Sequence, residues 1–295
     1  MADLTTQIGS VTLPNPVMPA SGTAGHGTEL GAYVDLSSLG AVVVKSLAHF
    51  AHQGNPPLRT HATEAGMLNS VGLQGPGVAA WRRESLPRLL DAGARVVVSI
   101  WGRNADDYRR AADHLGDCPP EVVAVEVNLS GPNTEAGGAL LAHDADAAAA
   151  TVAATAGAGR PRWAKLSPNT PDNVVIAGAV ADAGAEAVTL TNTLLGMVID
   201  PESGAYALGA GVNGGGYSGA ALHPVAVRMV HDVHRAIPDL PIVGVGGVSS
   251  GADAVEFVRA GARAVQVGTA NFADPRATAR VLDELGRFVD TTSTG

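Results

Sequence analysis

Three observations predict an α/β fold, a (β/α)8 barrel in one domain over 1–295. Short runs rich in Val, Ile and Ala recur eight times, helical patterns follow them, and polar or glycine residues gather at one end of the runs. Repeated βα units imply a parallel sheet covered on both faces, whose strands read as near-continuous apolar stretches. A doubly wound open sheet also alternates strand and helix, but eight units favour closure. A barrel needs about 250 residues, and 295 are present.

Strands are predicted at 16–20, 41–45, 95–100, 122–127, 162–166, 187–190, 241–245 and 264–267. Helical patterns are expected after each, for example at 79–92, 106–115, 171–183, 224–237, 252–260 and 275–288. Thr170-Pro171-Asp172 and His223-Pro224 read as helix starts, where a missing N–H or a negative charge suits the first turn. Gly93, Gly184 and Gly261 read as stops that favour a left-handed residue.

Composition narrows the function. Hydrophobic residues make up 46% and charged residues 16%, which suits a large buried core, while aromatics at 4% do not suit an aromatic-rich binding surface. The net charge is -9 and the basic residues are scattered, so no stripe suits a phosphate backbone and nucleic acid is not expected as a partner. No apolar run reaches the ~20 residues that span a bilayer, and Met1-Ala2-Asp3-Leu4 opens no signal peptide, so a soluble, cytoplasmic protein is expected. Cys118 is the single cysteine, which rules out an intrachain disulfide and an iron–sulfur cluster on this chain's own thiolates. It sits in a turn-like segment before a strand and reads as a structural thiol at the barrel's bottom. No metal site is expected.

Barrel enzymes carry their chemistry where strands end. Ala20-Ser21, Lys45-Ser46, Asn128, Lys165, Asn192-Thr193, Gly246-Gly247 and Gly268-Thr269 all fall at predicted strand C-termini. Purely structural glycines would scatter over both ends. Gly246-Gly247 and Gly268-Thr269, on the last two strands, mark a phosphate cradle, because glycine lets backbone N–H groups approach closely and the next helix's N-terminus adds a favourable dipole. Lys45 and Lys165 each close an apolar strand, where a bare ammonium is costly without an anionic partner.

Further segments run in order along the chain: Asn15-Pro16-Val17-Met18-Pro19-Ala20-Ser21-Gly22-Thr23, Gly54-Asn55-Pro56-Pro57, Gly66 to Gln74, Ala164-Lys165-Leu166-Ser167-Pro168-Asn169, Thr191-Asn192-Thr193, Gly215-Gly216-Tyr217-Ser218-Gly219, Gly246-Gly247-Val248 and Val267-Gly268-Thr269-Ala270. Together they resemble the dihydroorotate dehydrogenases. The stretch Val127-Asn128-Leu129-Ser130-Gly131-Pro132-Asn133-Thr134 resembles the family's active-site loop, but Gly131 stands where the family has the Cys or Ser general base. A glycine cannot take a proton.

The resemblance implies FMN as cofactor and a small hairpin at about 5–13 closing the barrel's N-terminal face. It places Ala20, Ser21, Lys45, Ser46, Asn128, Lys165, Thr191, Gly219, Gly246, Gly247, Gly268 and Thr269 around FMN, with Lys165 beside the flavin's N1 and O2 edge. Lys45, Asn69, Gly72, Leu73, Asn128, Asn133, Asn192 and Thr193 match substrate-binding positions. Four carboxamides offering donors and acceptors in fixed directions suit a planar cyclic imide.

Three functions stay open. One is an FMN-dependent oxidoreductase on an orotate-like ring, with proton handling changed by Gly131 and Lys45 at both ligands. Another is an ordinary dihydroorotate dehydrogenase whose base is Ser130, Thr134 or a water. The third is a flavin-binding scaffold or sensor without turnover. Gly54-Asn55-Pro56-Pro57 and Gly137-Gly138 look most like the soluble subclass that pairs its FMN subunit with an FAD and iron–sulfur subunit, so that partner and a homo-oligomer are expected.

Overall fold

The computed structural model describes residues 3–130 and 141–292. Eight parallel strands form one sheet: Val17–Pro19, Val42–Val43, Val96–Ile100, Val122–Asn128, Arg162–Lys165, Ala187–Leu190, Ile242–Val245 and Ala264–Val267. Each falls on a predicted run, and neighbours in sequence are neighbours in the sheet. The last strand pairs with the first, Gln266 opposite Met18. The seam between the first and second strands is closed by Gly40 N–H donating to Val17 O at 3.0 Å. The sheet therefore curls into a nearly closed (β/α)8 barrel, and the doubly wound alternative falls away.

Side chains alternate across a strand, so every second residue points into the barrel. The lowest inward layer is apolar: Met18, Val43, Val97, Ala124, Trp163, Val243 and Ala264 are all buried in one cluster. Ile8, Val11 and Leu13 join that cluster from an antiparallel hairpin, Thr6–Ile8 with Val11–Leu13. Hydrophobic burial thus plugs the N-terminal end and leaves the C-terminal mouth as the polar end. A second, larger cluster lies between strands and helices, and it takes in Cys118, whose thiol burial pushes up in pKa.

Two expectations about helices need correction. The first strand is followed by 3-10 turns at Glu29–Ala32 and Leu36–Ser38, with no α-helix before the second strand. The helix expected at 79–92 is broken into Val78–Glu84 and Leu86–Asp91. Pro87 has no N–H to continue the ladder, and the break falls just before it. Gly93, Gly184 and Gly261 do have positive φ at the ends of their helices.

A second sheet was not foreseen. Leu194–Gly196, Gly215–Ser218, Gly66–Asn69 and Thr60–Thr63 pair antiparallel in that order, joining the excursion after the second barrel strand to the one after the sixth. Gly215 and Gly216 permit the contact, since a Cβ on them would stand 2.5 Å from Asn69 O and 2.2 Å from Thr193 Oγ1. This sheet carries Asn69 over the barrel mouth. Among the described residues no helix is long and apolar enough to cross a membrane.

Candidate active site

A cavity of ≈ 530 Å³ opens at the C-terminal mouth, within the usual range for a small-ligand site of about 300–1,000 Å³. Ala20, Ser21, Lys45, Ser46, Asn69, Gly72, Leu73, Asn128, Ser130, Lys165, Thr191, Asn192, Thr193, Gly219, Gly246, Gly247, Gly268 and Thr269 all line it. Gly131, Asn133, Thr134 and Gly137-Gly138 lie outside the described residues. Lys45 and Lys165 are the charged residues among the described lining, and no carboxylate joins them, although the chain as a whole is at -9. Such a wall selects an anion.

The floor is a locked network. Asn128 Nδ2 donates to Ser46 Oγ at 3.1 Å, and Ser46 Oγ lies 2.9 Å from Ser99 Oγ and 3.3 Å from Ser21 Oγ. Asn192 Nδ2 donates to Asn128 Oδ1 at 3.1 Å, while Asn192 Oδ1 accepts from Thr193 N. Beneath, the buried Tyr108 hydroxyl donates to Asn128 O at 2.5 Å, and burial raises the phenol's pKa so that it stays a donor. Because each amide has fixed partners, its remaining donors and acceptors have fixed directions, as recognition of a planar ring requires.

The upper wall is held from outside the barrel. Asn55 donates from its backbone N–H to Val71 O at 3.1 Å and from Nδ2 to Ser70 O at 2.9 Å, bracing the loop that presents Gly72 and Leu73. Asn169 donates to Thr193 O at 3.0 Å and accepts from Leu195 N at 2.8 Å, tying the second sheet to the sixth strand's end. Asn55 and Asn169 both line the cavity, and neither was chosen from sequence beyond its motif.

The glycine cradle divides in two. Gly246 and Gly247 have φ of +141° and +66°, and a Cβ on either would stand 2.7 Å from the Cβ of Ala226 or His223, so backbone and packing already demand glycine. At Gly268 a Cβ would meet just Ala20 Cβ at 3.6 Å, an ordinary contact, so packing among the described residues does not demand glycine there. The end of helix Gly251–Ala260 is taken by Ser250 and Asp253, with Gly251 N donating to Glu284 Oε2, and the segment after Gly268-Thr269 is a helix of four residues, Ala270–Ala273.

Lysine 165 also differs from expectation. It does have an anionic partner within the protein, Glu126, with Nζ 3.5 Å from Oε1. Glu126 is fully buried, and its other oxygen accepts from Gln266 Nε2 at 2.9 Å. Both residues were missed, although a lone Glu and a lone Gln inside Val122–Asn128 and Ala264–Val267 are the signal that finds them: polar groups at inward positions of apolar strands. Lys45, by contrast, has no hydrogen bond or ion pair from its ammonium among the described residues, and burial together with Lys165 pushes it down to about 8. The Ser130 hydroxyl is also buried, with no hydrogen-bond partner among the described residues.

The family model of dihydroorotate dehydrogenase matches residues 3–289. The chain belongs to the dihydroorotate dehydrogenase family. It is 45% identical over 288 residues to a protein of Geobacter sulfurreducens, covering 97% of this chain and 93% of the relative. A Desulforudis audaxviator protein is 48% identical over 283 residues, 96% and 91% of the two chains, and an Alkaliphilus metalliredigens protein 46% over 287, 97% and 93%. All three bear the name dihydroorotate dehydrogenase B (NAD(+)), catalytic subunit. Dihydroorotate dehydrogenases are oxidoreductases acting on a CH–CH bond, and the C-terminal barrel mouth is where a barrel enzyme works.

Proposed function

We propose that this chain is an FMN-dependent oxidoreductase that transfers hydride between flavin and an orotate-like ring, with proton handling altered at Gly131. The carrying observation is the cavity wall, two ammonium groups with amide side chains in fixed directions and no carboxylate among the described lining. Bound FMN supplies the two-electron acceptor. Backbone N–H groups at Gly246, Gly247, Gly268 and Thr269 would hold its phosphate, with Ala20, Ser21, Ser46, Asn128, Thr191 and Gly219 around the rest and Lys165 at the ring edge that gains negative charge. Asn69, Gly72, Leu73, Asn128, Asn133, Asn192 and Thr193 would orient the substrate, and Lys45 would meet its carboxylate. The unpartnered Ser130 hydroxyl supports a second reading, an ordinary dihydroorotate dehydrogenase with Ser130 as proton acceptor. Family membership favours either over a scaffold without turnover.

The names of the relatives support an electron-transfer partner. A chain whose single cysteine is the buried Cys118 has no thiolates for an iron–sulfur cluster, so passage of electrons to NAD+ would need a second, FAD and iron–sulfur subunit. A homo-oligomeric catalytic core is proposed with it.

Purified protein should be yellow, release FMN on denaturation, and lose its flavin absorbance when titrated anaerobically with a substrate. Colourless protein that fails to take up added FMN would sink the reading.

Lys45 makes a second prediction. An anion against its ammonium favours the charged form, so binding raises the lysine's pKa above its free value of about 8. Orotate affinity should be flat below that pH and fall above it by up to about tenfold per pH unit, until the pKa of the complex is passed. Titrations of the holoprotein on both sides of pH 8 test this, and equal affinity throughout would mean that the anion does not meet Lys45.

A further inference from the structure

Three strands bring polar side chains together inside the barrel, one layer above its apolar floor. Glu126 from the fourth, Lys165 from the fifth and Gln266 from the eighth are all buried. The Lys165 ammonium lies 3.5 Å from Glu126 Oε1 and 3.4 Å from Gln266 Oε1, and Gln266 Nε2 donates to Glu126 Oε2 at 2.9 Å. The amide has one workable orientation: its N–H faces the carboxylate and its oxygen faces the ammonium, and a flip would oppose both. The cluster is therefore a closed arrangement of charge and dipole, specified from three distant parts of the chain.

Folding does not ask for it. Withdrawing two charges from water carries a desolvation cost, and well-packed apolar residues of the same volume commonly serve a core as well or better. The layer below consists of such residues. What distinguishes this layer is its neighbour, because Lys165 lines the mouth cavity whereas Glu126 and Gln266 do not. Any influence of Glu126 on a ligand passes through or around Lys165.

We propose that Glu126 is a positioning residue for the flavin: held by Gln266, it anchors the Lys165 ammonium at the cavity floor and offsets part of its charge, lowering the potential at which bound FMN is reduced. This rests on the FMN reading above. Coulomb energy falls with distance, so the lysine lining the cavity outweighs the carboxylate behind it. The net field at the flavin stays positive but is weaker than a lone lysine would make it. Reduction is then favoured by less than the lysine alone would favour it, and the reduced flavin keeps more driving force to pass its electrons on.

Reduction potentials of purified holoprotein test this in four forms: wild type, Glu126→Gln, Lys165→Gln and the double variant. Glutamine keeps the shape and hydrogen-bonding capacity at each position while removing the charge. Glu126→Gln should raise the potential and Lys165→Gln should lower it, with the double variant at or above Lys165→Gln, since a buried carboxylate left without its lysine takes up a proton. A Glu126→Gln protein that retains FMN at the wild-type potential, or below it, overturns the inference. Should that variant fail to fold, Glu126→Met decides instead, and a potential at or below the wild-type value in it overturns the inference as well. A merely structural Glu126 would move stability and leave the potential in place. Wild-type protein without flavin would defeat the FMN reading and this inference together, whereas flavin-holding proteins of equal potential defeat the inference alone.

Discussion

Replacing Gly131 by Cys or Ser should speed flavin reduction by dihydroorotate, and the wild-type protein should be slow. A positioned general base contributes ~10²–10⁴ in rate, which sets the ceiling for the gain. The recovered part will be smaller, because a base works at full strength only when its neighbours hold it in the productive geometry, and a single substitution does not supply them. The residues before it are well held: Asn128 is locked to Ser46 and Asn192, and Ser130 N donates to Asn128 Oδ1 at 3.2 Å. Stopped-flow bleaching across pH gives the measurement. With Cys at 131 the rate should rise with pH through the thiol's ionisation, since the thiolate is the base. Rapid wild-type reduction, unaffected by Ser130→Ala and Thr134→Ala together, would mean that the proton leaves by another route, with the neutral amine of Lys45 the next group to test.

Lysine 165 carries the second large effect. Lys165→Ala should lower the flavin's potential, weaken FMN retention and cost about 3–5 kcal/mol of stability, because removing one member of a buried pair leaves the other uncompensated. The stability term follows from Glu126, which is 0% exposed beside a lysine at 5%. Chemical denaturation of the flavin-free proteins isolates it from the contribution of bound FMN. An unchanged potential with full flavin content would show that Lys165 serves the barrel and not the cofactor.

The eight strands were legible because each is a local run of Val, Ile and Ala whose burial on both faces writes itself directly into composition. The mouth was legible for a related reason: strand ends are local features, and polar residues after apolar runs collect there in any parallel barrel. Ala20, Lys45, Asn128, Lys165, Asn192, Gly246 and Gly268 could each be placed by counting along its own strand, without knowing what it touches. The break at Ser85 was missed although its cause, Pro87, is equally local.

Tertiary structure alone decided the pairings between distant segments. The second sheet joins strands of three and four residues, too short and too rich in glycine to show a period, and Asn69 meets Gly216 O across 147 positions. Glu126 and Gln266 stand 140 positions apart, and each looks like an isolated polar residue until the barrel closes and turns both inward. The same closure shows that Lys165 has Glu126 as its partner, and that Gly251 N at the helix end near Gly246-Gly247 donates to Glu284. By itself the sequence determined the barrel, the mouth and the residues facing it, because those follow from local periodicity and strand polarity. Which charges neutralise one another, and how the cavity wall is braced, depend on contacts between remote segments, and a linear pattern carries no distance between side chains that only folding brings together.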